Sequence, residues 1–278
     1  MNAFLRRFLA VVAAALALPA AATTHSTDYT DLWYASPAES ESGWGVNVVQ
    51  QYDVVFATLF IYGQDNTARW YVAPATLSVA SPAGQNTFTG PLYSTVGTYF
   101  GAPWAGPPQS TQVGSISFAF TSATAGAMSY TVNGVSVTKA ITRQTWRRNV
   151  LTGNYVGGLT ANGTNCKNGV SNGAILINGD MSVGHSNATS PTFRIQFFTA
   201  GGAQGTCTYN GTYGQEGKMG RIDNGTFLCT FQGSTTTLSG TYTLTQIEAN
   251  TNGFTSRFVG QDQNCSYDGF FGGMKDVL

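Results

Sequence analysis

Apolar side chains recur in this chain with a period of two, and that rhythm restricts its fold more than any other feature. Ile116, Phe118 and Phe120 alternate with Ser115, Ser117 and Ala119; Met128, Tyr130 and Val132 alternate with Ser129 and Thr131; Phe193, Ile195 and Phe197 alternate with Arg194 and Gln196. A period of two puts one set of residues on a packed face and the other on a wet face of an extended strand, whereas a helix needs a period of 3.6. No segment after residue 22 keeps a helical apolar stripe for three turns. Asn133-Gly134, Asn162-Gly163, Asn172-Gly173, Asn178-Gly179, Asn210-Gly211, Asn224-Gly225 and Asn252-Gly253 supply the left-handed residues of tight hairpins. The expected fold class is all-β, built of antiparallel hairpins.

The start of the chain reads differently. Arg6 and Arg7 precede an apolar run of 11 residues, Phe8 to Leu18, and then Pro19 and Ala20-Ala21-Ala22. This is the pattern of a secretory leader cut after Ala22, and the run is too short to cross ~30 Å of hydrocarbon. No lipid-accepting Cys follows it. The expected localisation is secreted or periplasmic, from a bacterium, with no transmembrane segment in the mature chain.

Only 9% of the residues are charged, against roughly 25% in ordinary soluble domains. The chain has 13 basic and 13 acidic side chains, two of the basic ones in the leader. No basic field is left to hold nucleic acid or an anionic membrane. With 34 Gly, 13% aromatic and 42% hydrophobic residues, the chain has ample apolar surface to bury and is not a disordered tail.

A boundary is placed at Arg147-Arg148-Asn149, after an expected strand from Lys139 to Trp146. It gives a leader at residues 1–22, an N-terminal β domain at 23–148 and a C-terminal one at 149–278. The halves echo each other. Val113 to Asn133 matches Leu238 to Gly260 in rhythm, Phe56 to Val72 matches Phe193 to Tyr209, and aromatic strands open each half at Asp31 to Tyr34 and Gly153 to Val156. Two related barrels or meanders of roughly eight strands each fit such a repeat. Closing each sheet also removes edges that a chain so poor in Lys and Glu has few charges to protect. An outer-membrane barrel is the rival all-β reading; short strands, the cysteines and the non-aromatic ending Lys275-Asp276-Val277-Leu278 speak against it.

All four cysteines lie in the second half. An even count in an exported chain points to two disulfides. Cys207 and Cys229 flank the Gly-rich stretch Asn210 to Gly225, which looks like a connection between neighbouring strands, so the favoured pairs are Cys207 with Cys229 and Cys166 with Cys265. A metal site is disfavoured, since no C-x-x-C is present and His185 is the only His in that half.

The segments Leu32 to Asp53, LWYASPAESESGWGVNVVQQYD, and Val55 to Val72, VFATLFIYGQDNTARWYV, with FTGPLYST at Phe88 to Thr95 and VNGVSVTKAITRQTW at Val132 to Trp146, resemble a module found in secreted bacterial proteins. Its members carry a W-x-x-P-x-E-S-G-W-G signature, and the resemblance covers about residues 29–147. This chain departs from the pattern by two inserted residues, because Glu39-Ser40 is followed by Glu41-Ser42 before Gly43. The resemblance implies secretion and β structure; it transfers no activity and no site.

Few residues are arranged for catalysis. Glu39 and Glu41 are two nearby carboxylates, the pair a glycoside hydrolase needs at ~5 to 10 Å across its substrate, but loop glutamates are usually solvated. There is no G-x-S-x-G elbow, and His185, between Gly184 and Ser186-Asn187, reads as an exposed turn residue. Gly153 to Gly158 and Gly269 to Gly273 lack the Lys-Ser/Thr of a phosphate loop and read as strand bends. No cofactor and no metal is expected.

The aromatic set is more informative. Trp33, Trp44, Trp70 and Trp104, with Tyr34, Tyr62, Tyr71, Tyr93 and Tyr99, concentrate in the first half among Asn47, Gln50, Gln51, Gln64 and Arg69. Flat rings beside amide and guanidinium groups suit sugars and other neutral amphipathic ligands, and the alternative is a barrel core filled by these aromatics. The loop Thr98 to Pro108 is the expected exposed platform, since its Gly and Pro content prevents pairing around Trp104. The ligand-binding candidates are therefore Glu39, Glu41, Trp44, Asn47, Tyr62, Arg69, Trp70 and Trp104. The leading expectation is a secreted non-enzymatic protein that binds a neutral small molecule in a barrel mouth, or a glycan or surface protein on aromatic loops. The alternatives are a structural or adhesion module without a small-ligand pocket, favoured if Phe and Val seal the interiors, and an exported hydrolase.

Overall fold

The computed structural model describes residues 27–78, 81–185 and 191–276. The leader lies outside the described residues. Within them the alternation becomes sixteen strands and no helix, arranged as two closed antiparallel barrels of eight strands in tandem.

The first barrel runs β1 (Asp31–Ala35), β2 (Gly45–Gln51), β3 (Val54–Tyr62), β4 (Ala68–Leu77), β5 (Asn86–Val96), β6 (Gln109–Phe120), β7 (Ala125–Val132) and β8 (Val135–Arg143). The second runs β9 (Gly153–Thr164), β10 (Gly173–Gly184), β11 (Thr192–Phe198), β12 (Gln204–Glu216), β13 (Met219–Phe231), β14 (Thr237–Ala249), β15 (Gly253–Asp262) and β16 (Ser266–Lys275). Every strand pairs with the next, and the first pairs with the last: Tyr34 opposite Thr142 closes one barrel, and Ala161 opposite Gly269 closes the other.

The repeat read from the sequence falls on equivalent strands. Phe56 to Val72 and Phe193 to Tyr209 make up the third and fourth strands of their barrels, and Val113 to Asn133 and Leu238 to Gly260 the sixth and seventh.

Eight strands enclose a space that side chains just fill. In the first barrel Trp33, Val46, Leu59, Phe88, Phe118, Met128 and Ile141 are fully buried; in the second Met181, Phe193, Tyr209, Leu244, Phe258 and Phe271 are. The interiors are apolar, and hydroxyls pair across the outer surface, as Ser129 does with Thr138 and Thr192 with Asn210. This is the reverse of a membrane-spanning pore, which is polar within and apolar without. No helix among the described residues is long and apolar enough to cross a membrane.

Several expected turns are strand interior. Asn133-Gly134 does turn β7 into β8, with φ of 49° and 85°. Asn162-Gly163, Asn178-Gly179, Asn210-Gly211 and Asn224-Gly225 instead lie inside β9, β10, β12 and β13. Strands of 12 and 13 residues must coil strongly around an eight-stranded barrel, and two of these dipeptides mark the irregularities that let them. The register shifts between Asn210 and Thr212, and again between Ile222 and Gly225 where Asn224 has φ of 52°. The β12–β13 connection is the short turn at Gly217-Lys218 rather than the whole Asn210 to Gly225 stretch, and β8 stops at Arg143, not at Trp146.

The disulfides are Cys207–Cys229, joining directly opposed residues of β12 and β13, and Cys166–Cys265. Cys166 follows β9 and Cys265 precedes β16, so this bond fastens the seam where the second barrel closes. Two disulfides suit an oxidising environment, extracellular or periplasmic.

The barrels meet at a polar joint. Arg143, 2% exposed, donates through Nε to the Ala123 carbonyl at 2.6 Å and through Nη1 to the Thr30 carbonyl and Asp31 Oδ2, both at 3.1 Å. Its Nη2 donates to the Asp28 carbonyl, and its guanidinium stacks 4.9 Å over the Trp33 ring. The second barrel inserts its β12–β13 turn here. Asp31 Oδ2 accepts from the Lys218 amide at 2.9 Å, Asp28 Oδ2 pairs with Lys218 Nζ at 2.6 Å, and Thr145 Oγ1 accepts from the Gly217 amide at 2.7 Å. Gly217, at φ of 61°, has to be glycine: a Cβ there would stand 2.4 Å from Asp31 Oδ2 and 2.6 Å from Arg143 Cβ.

Candidate functional site

Because the strands alternate in direction, the loops after β1, β3, β5 and β7 of the first barrel start from one end, and the loop after β1 also reaches the second barrel, where Ser36, Ala38 and Glu39 line a cavity with Gln215 and Glu216. The aromatic candidates gather at this end and down the adjoining outer wall.

The wall is built by β2, β3 and β4. Register sets Gly45 opposite Phe60 and Phe60 opposite Trp70, then Asn47, Thr58 and Val72 in the next row, then Val49, Phe56 and Pro74. Ala57, Leu59, Ala73 and Ala75 point inward and are buried, so the alternate set faces solvent. Phe56 is 47% exposed, Phe60 46%, Tyr62 58% and Trp70 53%. Paired residues on adjacent strands stand ~5 Å apart, and Phe56 to Tyr62 spans ~20 Å along the strand. Small neighbours leave the rings uncovered: Gly45 offers no side chain beside Phe60, and a Cβ on Gly43 would already lie 3.3 Å from Tyr62.

At the rim, Trp44 is half-buried and packs on the barrel core. Its Nε1 donates to Glu41 Oε2 at 3.0 Å, and Lys139 lies 5.5 Å over its ring while also pairing with Glu41. Trp44 is thus part of the barrel's end rather than an open platform. Lys139, with help from the Trp44 donor, holds the Glu41 carboxyl below the usual carboxylate range. Glu39 turns to Tyr34, whose hydroxyl lies 3.5 Å from Oε1. The two glutamates therefore have separate partners, with Glu41 kept ionised by a half-buried lysine. Acid–base hydrolysis requires instead a facing pair of carboxyls with unequal environments.

Arg69 pairs with Asp65 at 2.7 Å, and Thr67, ahead of Arg69, lowers the Asp65 carboxyl's pKa through hydrogen bonds. Arg69 and Asp65 thereby neutralise each other at one end of the wall, as Lys139 and Glu41 do at the rim. Trp104 is 73% exposed in the 97–108 connection, with Tyr99 at 67% and Phe100 at 95%. Tyr99 and Phe100 touch with ring centroids 4.6 Å apart, which makes this loop a second exposed aromatic patch at the same end. Asn47 is exposed on the wall itself.

Phe56 and Phe60 join the wall although they are not among the sequence candidates. Their signal was present, because F-A-T-L-F-I-Y is apolar at both phases of its alternation and a barrel has only one interior to fill. His185 is not an exposed turn residue: it is half-buried, Nδ1 accepts from the Leu151 amide at 3.4 Å, and its ring meets Tyr213 edge-on at 5.0 Å. Among the described residues no group of three or more His, Cys, Asp or Glu is placed to hold a metal ion.

No protein-family model matches the chain, and neither a curated protein nor a solved structure resembles it at a significant level.

Proposed function

We propose that this protein is an exported, non-enzymatic binding module that holds a neutral glycan on the outer aromatic wall of its first barrel. The observation that carries this reading is the in-register strip of Phe56, Phe60, Tyr62 and Trp70, half-exposed on adjacent strands, with the neighbouring Arg69 neutralised by Asp65. Flat rings stack on the apolar faces of sugar rings, and Asn47, Thr58 and the Tyr62 hydroxyl offer hydrogen bonds at the edges. Leaving such rings in water is unfavourable for the isolated molecule, so a ligand that covers them gains the burial the fold does not use. The filled barrel interiors speak against a ligand in a barrel mouth and leave the outer surface as the place for recognition. The leader pattern from Arg6 to Ala22 and the two disulfides fit export.

The test is retention on insoluble neutral polysaccharides together with a glycan array. Trp70→Ala is expected to weaken binding by about 2 kcal/mol, roughly 30-fold, with an unchanged far-UV spectrum. A silent array, or a Trp70→Ala variant that binds as well as the parent, defeats the proposal. The filled interiors also favour a second reading, a structural or adhesion module whose aromatic wall meets a surface protein. Glycan silence combined with binding to whole cells would select it.

A further inference from the structure

We infer that the cleft between the two barrels is a second binding site, separate from the aromatic wall, for a small uncharged ring compound. The cleft encloses about 370 Å³ and takes its walls from both barrels: Tyr29, Asn86 and Phe120 from the first, Met219, Arg221 and Gln246 from the second. That volume is in the range of small-molecule sites, which favour domain boundaries.

The walls are fixed before any ligand arrives. Thr27, in the cleft lining, precedes Asp28, and Met219 follows Lys218, so the Asp28–Lys218 ion pair and the buried Arg143 set the cleft width. A preformed site loses little affinity to ordering.

The second wall is irregular in a particular way. The register of the second barrel shifts between Gly220 and Ile222 and between Thr245 and Glu248, and Gly220, Arg221, Thr245 and Gln246 all line the cleft. Gln246 itself adopts φ of 54°, a left-handed conformation that is unfavourable for a residue with a side chain. Bulges gather at barrel rims and beside functional sites, where they re-aim side chains.

Composition defines the ligand. Tyr29 and Phe120 lie stacked on each other, centroids 3.9 Å apart and planes within 9°, and with Met219 they close the base of the cleft as buried core. Asn86, Gln246, Thr121, Ser122, Thr124 and Thr245 place amides and hydroxyls around it. Arg221 is neutralised by Glu216 and Asp223, each at 2.7 Å, and no carboxylate side chain lines the cleft. An ion would find no unbalanced partner. A small neutral ring that carries hydroxyls or amides finds partners in this lining, and pyranosides and uncharged nucleosides share that chemistry.

Two-dimensional amide NMR on the isotope-labelled full chain tests this, with methyl glucopyranosides in one arm and adenosine in the other. Saturable shifts confined to Gly84, Thr124, Gly220 and Gln246 are expected with at least one arm, and the responding arm names the source. Thr245→Trp, which fills the cleft from an exposed position, should weaken those shifts at least tenfold, and Thr121→Trp should do so from the opposite wall; Trp70→Ala should leave them unchanged. No saturable shift in either arm, shifts that persist in both filled variants, or shifts that vanish in Trp70→Ala would overturn the inference. The Trp70→Ala arm separates its failure from that of the glycan reading.

Discussion

Arg143 shows how much one residue can decide in this protein. It is the largest buried charged side chain, and its donors are shared among three carbonyls and Asp31. Burial lowers the Arg143 pKa, and the hydrogen bond and charge of Asp31 oppose that fall; an arginine stays charged regardless. Removing it leaves a largely buried carboxylate and several carbonyls without their donor. Arg143→Ala is therefore expected to destabilise the protein by ~3 to 5 kcal/mol, read as a lower urea midpoint. A loss below ~1 kcal/mol would mean that water replaces the guanidinium at no cost. Nothing in the sequence singled out Arg143, because its role depends on Asp28, Thr30 and Ala123, which only the closed fold brings to it. Trp70 was legible from local composition alone, as an aromatic residue next to Arg69 near a polar turn.

At the level of strands, period-two alternation was a reliable guide to existence and a poor one to length. Ile116, Phe118 and Phe120 all face the core as their spacing requires. Asn-Gly pairs were less reliable, because glycine serves a hairpin and a coiled barrel strand equally well. At Gly158 a Cβ would stand 1.9 Å from the Ile177 carbonyl oxygen, so the glycine permits close strand approach where the local reading expected no more than a bend. The cysteine pairing was legible for a geometric reason, since a hairpin sets residues equidistant from its turn opposite each other. The two bonds should differ in effect. They close loops of 22 and 99 residues, and loop entropy assigns ~3 kcal/mol to the shorter and ~4.7 kcal/mol to the longer. Cys166→Ser with Cys265→Ser is expected to destabilise the second barrel more than Cys207→Ser with Cys229→Ser, and to leave the first barrel's transition in place. Equal losses in calorimetry, or a loss shared by the first barrel, would count against a seam-fastening role.

The whole molecule behaves as two filled barrels held by one polar joint, and that joint should respond to pH when the barrels do not. Burial pushes the Asp28 carboxyl up, but hydrogen bonds from Lys218 and Thr30 outweigh it and leave the pKa below the ordinary 3.8. Burial pushes Lys218 down, but Asp28 and Glu248 outweigh it and leave the pKa above the ordinary 10.5. A depressed carboxyl stabilises the folded joint above its unfolded pKa, and that contribution is lost as pH falls through the folded value. A raised ammonium stabilises below its unfolded pKa, and its contribution is lost as pH climbs past the folded value. The joint should hold across the interval between those two ordinary values and weaken outside it on both sides. The two buried clusters of the barrel interiors are packed with Phe, Tyr, Leu, Ile and Val, and the Arg143–Asp31 pair lies at the joint end of the first barrel, so the strands should survive the same change. Small-angle scattering at pH 7 and pH 3, with far-UV circular dichroism in parallel, separates the two levels: a larger radius of gyration with an unchanged β spectrum is the expected result at pH 3. Asp28→Asn should reproduce part of that expansion at pH 7, since an amide keeps the shape but not the charge that Lys218 requires. Superimposable scattering at the two pH values would show that Arg143 and the turn at Gly217 hold the barrels together without the Asp28–Lys218 pair.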